Sequence, residues 1–422
     1  MVKNYKNFYN LSKKIFNKNG KYINNELRYI LEYLDSENEK NDKYPWTSRL
    51  EKAFAKKFKA KFAISHNSGT STLHSCLHAL DLKSGDEVIG PVQTGIWFAF
   101  VCIHQNVVPI YVDSDPETFL MDPNKIEEKI TKKTKVIIAT HMHGCPSDMD
   151  KIMKIAKKHK IYVIEDCAQS YLATYKGKLT GTIGHMASFS FETKKHMSTG
   201  QGGMVITNNA KFAKKIRQHA GLGYKTLTPA QGMTSLKPHE FQNPYFLRHD
   251  SIGYNYRLPE ICAAVGLAQL EVIEKKVKSR VAIANEYYKV IKNTKWLVPQ
   301  KIPKNCTSTY WTYPVMYLGE NYFDLKWEDF YNLFKKNGGD GFYGCLALQT
   351  DEIVIKKKKY LNYLSHFPKN VLKKFEDNSN NYPIAKSIQP LIMQFKCGYR
   401  NKKDLEKNIL ALKKTIDDVQ ND

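Results

Sequence analysis

The sequence predicts an α/β fold with a large domain on a mixed, mostly parallel sheet and a smaller C-terminal α+β domain. Three observations predict this fold. The chain has 422 residues, 42% of them hydrophobic, so it is apolar enough to be globular and too long for one small core. From about residue 49 to residue 207, short apolar runs alternate with helical stretches, as in an open sheet covered by helices. Beyond about residue 290 the pattern changes to aromatic strands and further helices.

The first predicted elements are an arm and a helix, which precede the sheet region. Residues 1–41 have a weakly apolar helical pattern and are predicted to form an N-terminal arm. Leu50, Phe54 and Phe58 then lie at i, i+4 and i+8, on one face of an amphipathic helix. Strands are predicted at 62–65, 87–89, 108–112, 136–139, 162–165, 187–191 and 204–207. Helices are predicted at 70–80, 125–130 and 149–159.

A loop and a long helix follow these strands. Residues 221–249 are polar and contain Gly and Pro, which predicts a long active-site loop. Residues 259–280 predict a single helix with Leu267, Leu270 and Ile273 on its apolar face. Residues 310–317 predict an aromatic strand. The predicted units are therefore the arm at 1–41, the large domain at 42–280 and the small domain at 281–422.

The composition excludes several classes of protein. The formal charge is +24, but the lysines are scattered and no nucleic-acid motif accompanies them, so we predict no nucleic-acid partner. A basic surface does favour an anionic small-molecule substrate such as a nucleotide sugar. The eight cysteines lie far apart without a C-x-x-C pair, which argues against zinc and against a disulfide framework. The N-terminus has no apolar signal region and no 18-residue apolar run occurs, so we expect a cytoplasmic protein without a membrane partner.

The first candidate site segment is the turn after the strand at 62–65. That strand leads into Ser68, Gly69, Thr70 and Ser71 and then into an apolar helix. Backbone N–H groups and hydroxyls at a helix N-terminus suit a phosphate group. Ser68 and Thr70 are equally suited to cap the helix.

The second and third segments bring an acid and a lysine. An apolar strand ends at Asp166, and Gln169 follows three residues later. An aspartate in that position can hold a heteroaromatic ring nitrogen protonated, or it can cap a helix. Further on, the strand predicted at 187–191 contains Ser190, and the loop after it carries Lys194 and Lys195 and leads to a Gly-rich turn. A desolvated lysine beside such groups is suited to Schiff-base chemistry.

Taken together, the motifs resemble the DegT/DnrJ/EryC1/StrS family of pyridoxal-phosphate-dependent sugar aminotransferases. The resemblance extends from about residue 44 to the C-terminus, and agreement of several separated motifs is far more specific than any one of them. The motifs, in the family's order, are Asn67-Ser-Gly-Thr-Ser, Gly85-Asp-Glu-Val-Ile, Asp166-x-x-Gln169, Ser190-x4-Lys195, Gly200-x-Gly-Gly203 and Gly253-Tyr-Asn-Tyr-Arg257.

This resemblance implies a fold, a cofactor and a role for each site residue. It implies fold type I of the pyridoxal-phosphate (PLP) enzymes, which is the fold of aspartate aminotransferase, with pyridoxal 5′-phosphate as cofactor. Lys195 would form the Schiff base, Asp166 would pair with the pyridine nitrogen, and Gln169 would contact the ring hydroxyl. The cofactor phosphate would be held by Gly69, Thr70, Ser71 and Ser190, and by Asn255 from the second subunit of a homodimer with shared active sites.

The implied reaction transfers an amino group from glutamate or glutamine to a keto group, most simply that of a nucleotide-linked keto-deoxysugar used in surface-polysaccharide or glycan biosynthesis. One alternative acceptor is a small keto-phosphate or a cyclitol ketone. Another alternative is the sugar-dehydratase branch of the family, which has histidine in place of the lysine. His196 would fill that role after a shift of one residue. Lys194 competes with Lys195, but the interval of five residues from Ser190 matches the family at 195.

Two features leave the family pattern or lie outside it. Many relatives have an aromatic residue, stacked on the cofactor ring, where this chain has Gly95; Trp97 and Phe98 are the candidates to replace it, and each is equally compatible with a place in the core. His141 and His143 end a strand as metal ligands do, but no third ligand has a suitable spacing, so we predict no metal.

Overall fold

The structure is a computed structural model that describes residues 25–36, 45–230, 232, 237–356, 382–399 and 401–421. Of the predicted N-terminal arm, only 25–36 falls within the described residues; the rest of 1–41 lies outside them. Part of the predicted loop at 221–249 also lies outside them.

Strands and helices alternate along the chain much as predicted. The strands are β1 Phe62–His66, β2 Glu87–Pro91, β3 Val108–Val112, β4 Thr134–Thr140, β5 Tyr162–Asp166, β6 Thr174–Tyr175, β7 Lys178–Leu179, β8 Met186–Ser190, β9 Gly203–Thr207, β10 Leu297–Pro299, β11 Cys306–Thr307, β12 Thr312–Tyr317, β13 Tyr343–Gly344 and β14 Ile392–Lys396.

The helices vary in length from a single turn to five turns or more. They are α1 Glu26–Ser36, α2 Trp46–Lys57, α3 Gly69–His78, α4 Trp97–His104, α5 Met149–His159, α6 Ala210–Ala220, α7 Pro238–Gln242, α8 Glu260–Glu271, α9 Ile273–Ile291, α10 Gly319–Phe323, α11 Trp327–Lys336, α12 Ile353–Lys356, α13 Pro383–Ile388 and α14 Lys402–Asn421. Short 3-10 helices occupy Pro123–Lys125, Glu127–Lys129, Met142–Gly144, Gln349–Asp351 and Gln389–Leu391. No helix among the described residues is long and apolar enough to cross a bilayer.

Seven strands form the large sheet, in the order β1-β9-β8-β5-β4-β2-β3. Strands β8, β5, β4, β2 and β3 pair in parallel, whereas β9 is antiparallel to both β8 and β1. The sheet is therefore mixed, with one strand opposing six. The six strands end at the same edge, which is where ligands bind in open α/β sheets.

The large sheet is buried on both faces, because its strands are apolar on successive residues. All five residues of β2, β8 and β9 are buried. On one face Leu73 of α3 and Val101 of α4 pack against the sheet. On the other face Phe54 of α2 and Phe58, the C-cap of that helix, do so. Parallel strands covered on both faces show this pattern of continuous apolar residues. The predicted face of α2 is confirmed, since Leu50, Phe54 and Phe58 are each 0% exposed.

The C-terminal region contains a second sheet. Its four strands run antiparallel in the order β10-β12-β14-β13. Helices α9, α11 and α14 contribute to the same apolar core, which includes Trp296, Phe330 and Phe395. Helix α9 runs across the predicted domain boundary at residue 280 and gives Ile283 and Tyr287 to this core. The division into domains stays a prediction.

Two helix predictions were wrong: one segment forms 3-10 turns, and the other forms two helices where one was predicted. Residues 125–130 are two 3-10 turns, closed by i→i+3 bonds such as that from the Lys129 N–H to the Ile126 carbonyl. The stretch is too short to nucleate an α-helix, and the tight turns bury Ile126 completely. The single helix predicted over 259–280 is broken at Val272, where φ is −113° and ψ is 13°. The apolar pattern continues across this break, since Leu270, Ile273 and Val277 pack in the same core, so the pattern does not reveal it.

Candidate active site

A cleft of about 1370 Å³ opens at the edge where the parallel strands end. The turn after β1, the loop after β5 and the loop after β8 line it from the large sheet. Thr312, Tyr343 and Gln394 line it from the second sheet. The three candidate segments, which lie far apart in sequence, therefore meet in one place.

The turn after β1 presents a helix N-terminus to the cleft. Ser68 caps α3 by accepting a hydrogen bond from the Ser71 N–H at 3.1 Å. The N–H groups of Gly69 and Thr70 are in the first turn and have no acceptor within the helix. Gly69 lies against Ser190 of β8, because a Cβ on Gly69 would come within 2.7 Å of the Ser190 Cβ. These residues therefore form a cradle with outward N–H groups and hydroxyls.

Ser71 is not part of the cradle surface. It is 5% exposed, and its hydroxyl accepts from the Ser68 N–H at 3.2 Å and donates to Asn67 Oδ1 at 2.7 Å. It completes a capping box and does not line the cleft. The alternative interpretation of this turn as a helix cap thus holds for Ser68, which pairs with Ser71, and is wrong for Thr70. Ser68, Gly69 and Thr70 all line the cleft.

Asp166 lies deep in the cleft at the end of β5. It is 2% exposed, and Oδ1 accepts from the Ala168 N–H at 3.1 Å. Burial raises the pKa of this carboxyl, and the positive charge of Lys195 acts in the opposite direction. A buried carboxylate of this kind gains most from a cationic partner brought into the cleft.

The side chain of Gln169 is oriented by a neighbouring backbone. Its Oε1 accepts from the His143 N–H at 2.7 Å, and the residue is 4% exposed. The NH₂ end is consequently the one left to donate to a ligand in the cleft. His143 adopts a left-handed conformation with φ of 60°, which turns its N–H toward Gln169.

Lys195 and Lys194 lie in different surroundings. Burial lowers the pKa of Lys195 to about 8, although the Asp166 carboxylate partly opposes this shift. The Lys195 Nζ lies 4.5 Å from the centroid of the Trp311 ring. Lys194 is exposed, with its Nζ over the Tyr343 ring at 5.2 Å. An amine with a pKa near neutrality is suited to nucleophilic and proton-transfer chemistry.

Trp311 and Arg280 hold the lysine loop, and neither was identified from the sequence. Trp311 Nε1 donates to the Lys194 carbonyl at 3.0 Å, and Arg280 Nη2 donates to the same oxygen at 3.3 Å. Arg280 Nη1 also donates to the Trp311 carbonyl at 2.7 Å. No motif or spacing marks these residues, since only the packing of α9 and β12 against the loop brings them there.

The predicted histidine pair separates into two networks. His141 Nε2 donates to Glu165 at 3.1 Å, while its Nδ1 accepts a backbone N–H. Glu165 also accepts three N–H groups from 181–184 at 2.6–2.8 Å. His141, Glu165 and Cys167 are close enough to hold a metal ion, but these bonds use both ring nitrogens and both carboxylate oxygens. The network is therefore structural, and His143 faces a threonine of β12 instead.

Asn255 lies outside the cleft of its own chain. It is exposed, and its Oδ1 accepts from Arg257 Nε at 3.0 Å. The described residues of 221–249 do not line this cleft either. Its backbone nevertheless lies beside the turn after β1, since the Tyr256 carbonyl accepts a hydrogen bond from the Asn67 N–H at 2.7 Å.

The sequence pattern of the DegT/DnrJ/EryC1/StrS aminotransferase family matches residues 21–339. The chain belongs to this family. The predicted family, the α/β aminotransferase fold and the assignment as an aminotransferase are thus confirmed.

Individual relatives agree with this membership. The chain is 38% identical over 291 residues to the GDP-perosamine synthase of Escherichia coli O157:H7, which covers 69% of this chain and 74% of that protein. The X-ray structure of the aminotransferase from Psychrobacter cryohalolentis is 27% identical and covers 94% of this chain and 97% of that one, with a TM-score of 0.77. The E. coli GDP-4-keto-6-deoxy-D-mannose-3-dehydratase with bound hydrated PLP is 22% identical over 92% of this chain and 95% of that one, with a TM-score of 0.74.

Because a dehydratase shares the fold, the fold alone does not separate the two reactions. By the family resemblance, the residue in the lysine position would separate the aminotransferase from the dehydratase. The Lys195 side chain lines the cleft close to Asp166. His196 also lines the cleft, but it is 2% exposed and its Nε2 donates to the Thr309 carbonyl at 2.9 Å. This arrangement favours a lysine-based reaction.

Proposed function

We propose that the protein transfers an amino group from glutamate or glutamine to the keto group of a nucleotide-linked deoxysugar, for surface-polysaccharide or glycan biosynthesis. Pyridoxal 5′-phosphate is the cofactor, as the sequence predicts. The observation that carries the proposal is the position of Lys195, an amine of lowered pKa, beside the buried Asp166 and the helix N-terminus at Gly69.

The residues in the cleft fit the cofactor group by group. The N–H groups of Gly69 and Thr70, with the Ser190 hydroxyl, would hold the phosphate at the positive end of α3. Asp166 would face the pyridine nitrogen, and the NH₂ group of Gln169 would donate to the ring hydroxyl. Ser71, to which the family resemblance gives a phosphate contact, would act by capping α3.

The chain's own residues supply proton transfer and positioning. When bound, pyridoxal phosphate supplies an electron sink that makes the α-proton of an amino acid labile. Lys195, with a pKa near 8, is present in both protonation states at neutral pH, so it can remove the donor's α-proton and return a proton later. Asp166 would keep the cofactor ring cationic. Trp311 and Arg280 would hold the lysine loop in place through their hydrogen bonds to the Lys194 carbonyl.

A basic lining supports a nucleotide-linked acceptor. The acidic residues of the cleft wall are Asp166 and Glu192. Its basic residues are Lys194, Lys195, Lys275, Lys276, Arg280 and Lys396. An excess of positive charge attracts a diphosphate, and a cleft of about 1370 Å³ exceeds the needs of a small keto acid. The similar E. coli protein is named for GDP-perosamine, which is a nucleotide-linked compound.

A homodimer would complete the site. Tyr245, Leu247 and Ile252 are 88%, 78% and 85% exposed, which is a large apolar surface for residues so close to Asn255. Burying this surface against a second copy would bring Asn255 to the phosphate of that copy. We also place the reaction in the cytoplasm, because all eight cysteines are unpaired, as is usual in a reducing compartment.

The decisive experiment combines an activity screen with mapping of the cofactor. The holoenzyme would be incubated with glutamate or glutamine and a panel of nucleotide-linked 3-keto and 4-keto sugars, and the products analysed by mass spectrometry. Amination of a keto-phosphate or a cyclitol ketone, with no ketosugar aminated, would overturn the sugar assignment. Loss of an oxygen without gain of nitrogen would identify a dehydratase.

The adjacent lysine provides a matched control. After borohydride reduction, peptide mapping should find the cofactor attached at Lys195. The attachment should persist in Lys194→Ala and disappear in Lys195→Ala. Attachment at Lys194 in the wild-type protein would reverse the assignment.

A further inference from the structure

We propose that Trp97 is the aromatic residue that packs against the cofactor ring, and that it reaches this position because residue 95 is a glycine. The inference rests on the proposed function, since it concerns bound pyridoxal phosphate. It assigns a positioning role that the sequence alone left open between Trp97 and Phe98.

The Trp97 ring occupies the space that a side chain on residue 95 would fill. A Cβ built on Gly95 would lie 1.7 Å from Cζ3 of Trp97 and 2.1 Å from Cε3 and Cη2. Gly95 is not among the glycines with positive φ, so its backbone does not require glycine. The requirement is one of space, because an indole and a side chain at 95 exclude each other.

This space adjoins the part of the cleft where the pyridine ring would lie. Trp97 lines the cleft, and its side chain interacts with the Asp166 carboxylate. The indole N–H is the only hydrogen-bonding group on that side chain. The indole therefore contacts the carboxylate that we assign to the pyridine nitrogen. Cofactor binding would move the N–H off Asp166 and leave the indole beside the incoming ring, where it could stack on that ring.

The other aromatic candidates are committed elsewhere. Phe98 is 1% exposed and packs edge-on against Tyr111, with ring centroids 5.8 Å apart. A Cβ on Gly90 would lie 2.5 Å from the Phe98 ring, so this ring is fixed in the core. Trp311 is tied through Nε1 to the Lys194 carbonyl and faces the Lys195 amine. Of the two aromatic candidates from the sequence, Trp97 is thus the one that lines the cleft and can change partner.

Exchange of the aromatic ring between positions 97 and 95 tests the assignment. The dissociation constant of pyridoxal phosphate would be measured by equilibrium dialysis, with circular dichroism as the check on folding. We expect Trp97→Ala to weaken binding about tenfold and Trp97→Phe to stay within about threefold of wild type. Gly95→Tyr alone should weaken binding, because the new side chain collides with the indole. The double variant Gly95→Tyr/Trp97→Ala should recover most of the lost affinity.

Tryptophan fluorescence gives a second readout that does not depend on activity. Titration with pyridoxal phosphate should quench the wild type, and the quenching should fall sharply in Trp97→Phe but persist in Trp311→Phe. Equal affinity in the wild type and Trp97→Ala, a double variant no better than Trp97→Ala, or undiminished quenching in Trp97→Phe would each overturn the assignment. A wild-type protein that binds no pyridoxal phosphate would instead refute the proposed function itself.

Discussion

Close approaches between single residues shape the phosphate cradle. Gly69 and Ser190 come from different elements and touch where no Cβ fits. A similar steric requirement applies at Gly95, because the Trp97 ring occupies the space that a Cβ there would need. At both positions glycine is explained by a neighbouring side chain, since neither residue has a positive φ.

Gly69→Ala tests the cradle. The added methyl group would lie 2.7 Å from the Ser190 Cβ, so Ser190 or the helix N-terminus must shift. We expect pyridoxal phosphate affinity to fall about tenfold, which corresponds to the lower end of overpacking costs. Equilibrium dialysis measures it. Gly344→Ala is the matched control, because a Cβ there meets nothing within 4 Å. Equal losses in both variants would refute the cradle.

A buried ion pair and its hydrogen bonds join helices α2 and α6 to strand β1 of the large sheet. Arg217 of α6 forms an ion pair with Glu51 of α2 at 2.7 Å, and the side chains are 4% and 10% exposed. Glu51 also accepts from the Ser65 N–H at 2.8 Å, and Arg217 donates to the Ala63 carbonyl at 3.2 Å. Two helices and strand β1 therefore share a single network.

Removal of one partner from this ion pair should be costly. Arg217→Met leaves the buried Glu51 carboxylate without its cation, so we expect the free energy of unfolding to fall by about 3 kcal/mol or more. Urea denaturation measures the change. Lys301→Met removes the exposed pair with Glu117, whose side chains are 59% and 63% exposed, and should leave stability unchanged within error. A loss as large in the control would contradict the argument from burial.

A histidine cluster formed by His66, His74, His78 and His219 joins β1, α3 and α6. The Ser75 hydroxyl lies 2.9 Å from both His66 Nε2 and His219 Nδ1, and the rings of His78 and His219 stack 4.1 Å apart. Burial lowers the pKa of His66 and His74 to about 4 and that of His219 to about 2. The folded protein therefore holds these rings neutral at neutral pH.

This cluster predicts a loss of stability in mild acid. Below the unfolded pKa of about 6.5 the unfolded chain takes up protons that the folded chain excludes, so stability falls as pH drops toward 4. Each histidine contributes up to about 1.4 kcal/mol per pH unit in that window. Urea denaturation at pH 7.5, 6.0 and 5.0 measures the slope. His74→Gln should make it shallower, and an unchanged slope would contradict the prediction.

At the scale of the whole molecule, the cleft draws on both sheets and, in our proposal, on two copies of the chain. The second sheet and α9 contribute Trp311 and Arg280, which hold the lysine loop. Asn255 is exposed, does not line the cleft of its own chain, and lies close in sequence to exposed apolar residues. In an isologous dimer, the second subunit would cover these apolar residues and its cleft would receive Asn255.

Mixing two inactive variants tests shared sites. Lys195→Ala and Asn255→Ala would each be inactive as homodimers, but a heterodimer contains one site with both residues intact. After subunit exchange by random mixing, activity should return to about a quarter of wild type, since half of the dimers are mixed and each has one intact site. Activity that stays at the level of the separate variants would refute the shared site.

Most of the strands and some of the helices near the site were predictable because their signals are local. Strand β3 and helix α5 have the predicted bounds, and Asp148 caps α5. Helix α6 was missed although Asn209 caps it and Phe212 and Ile216 lie on one face. Helix α4 was missed because it is apolar on all sides and shows no helical period.

The sequence by itself determined the family and the cofactor and predicted the lysine, because each motif lies within one strand and the loop after it, where residues close along the chain are also close in the structure. The tertiary structure alone decided which distant groups meet those motifs. Ser190 against Gly69, Trp311 over Lys195 and Trp97 beside Asp166 depend on how sheets and helices pack. Such contacts join side chains far apart in the chain, and no local pattern of residues encodes them.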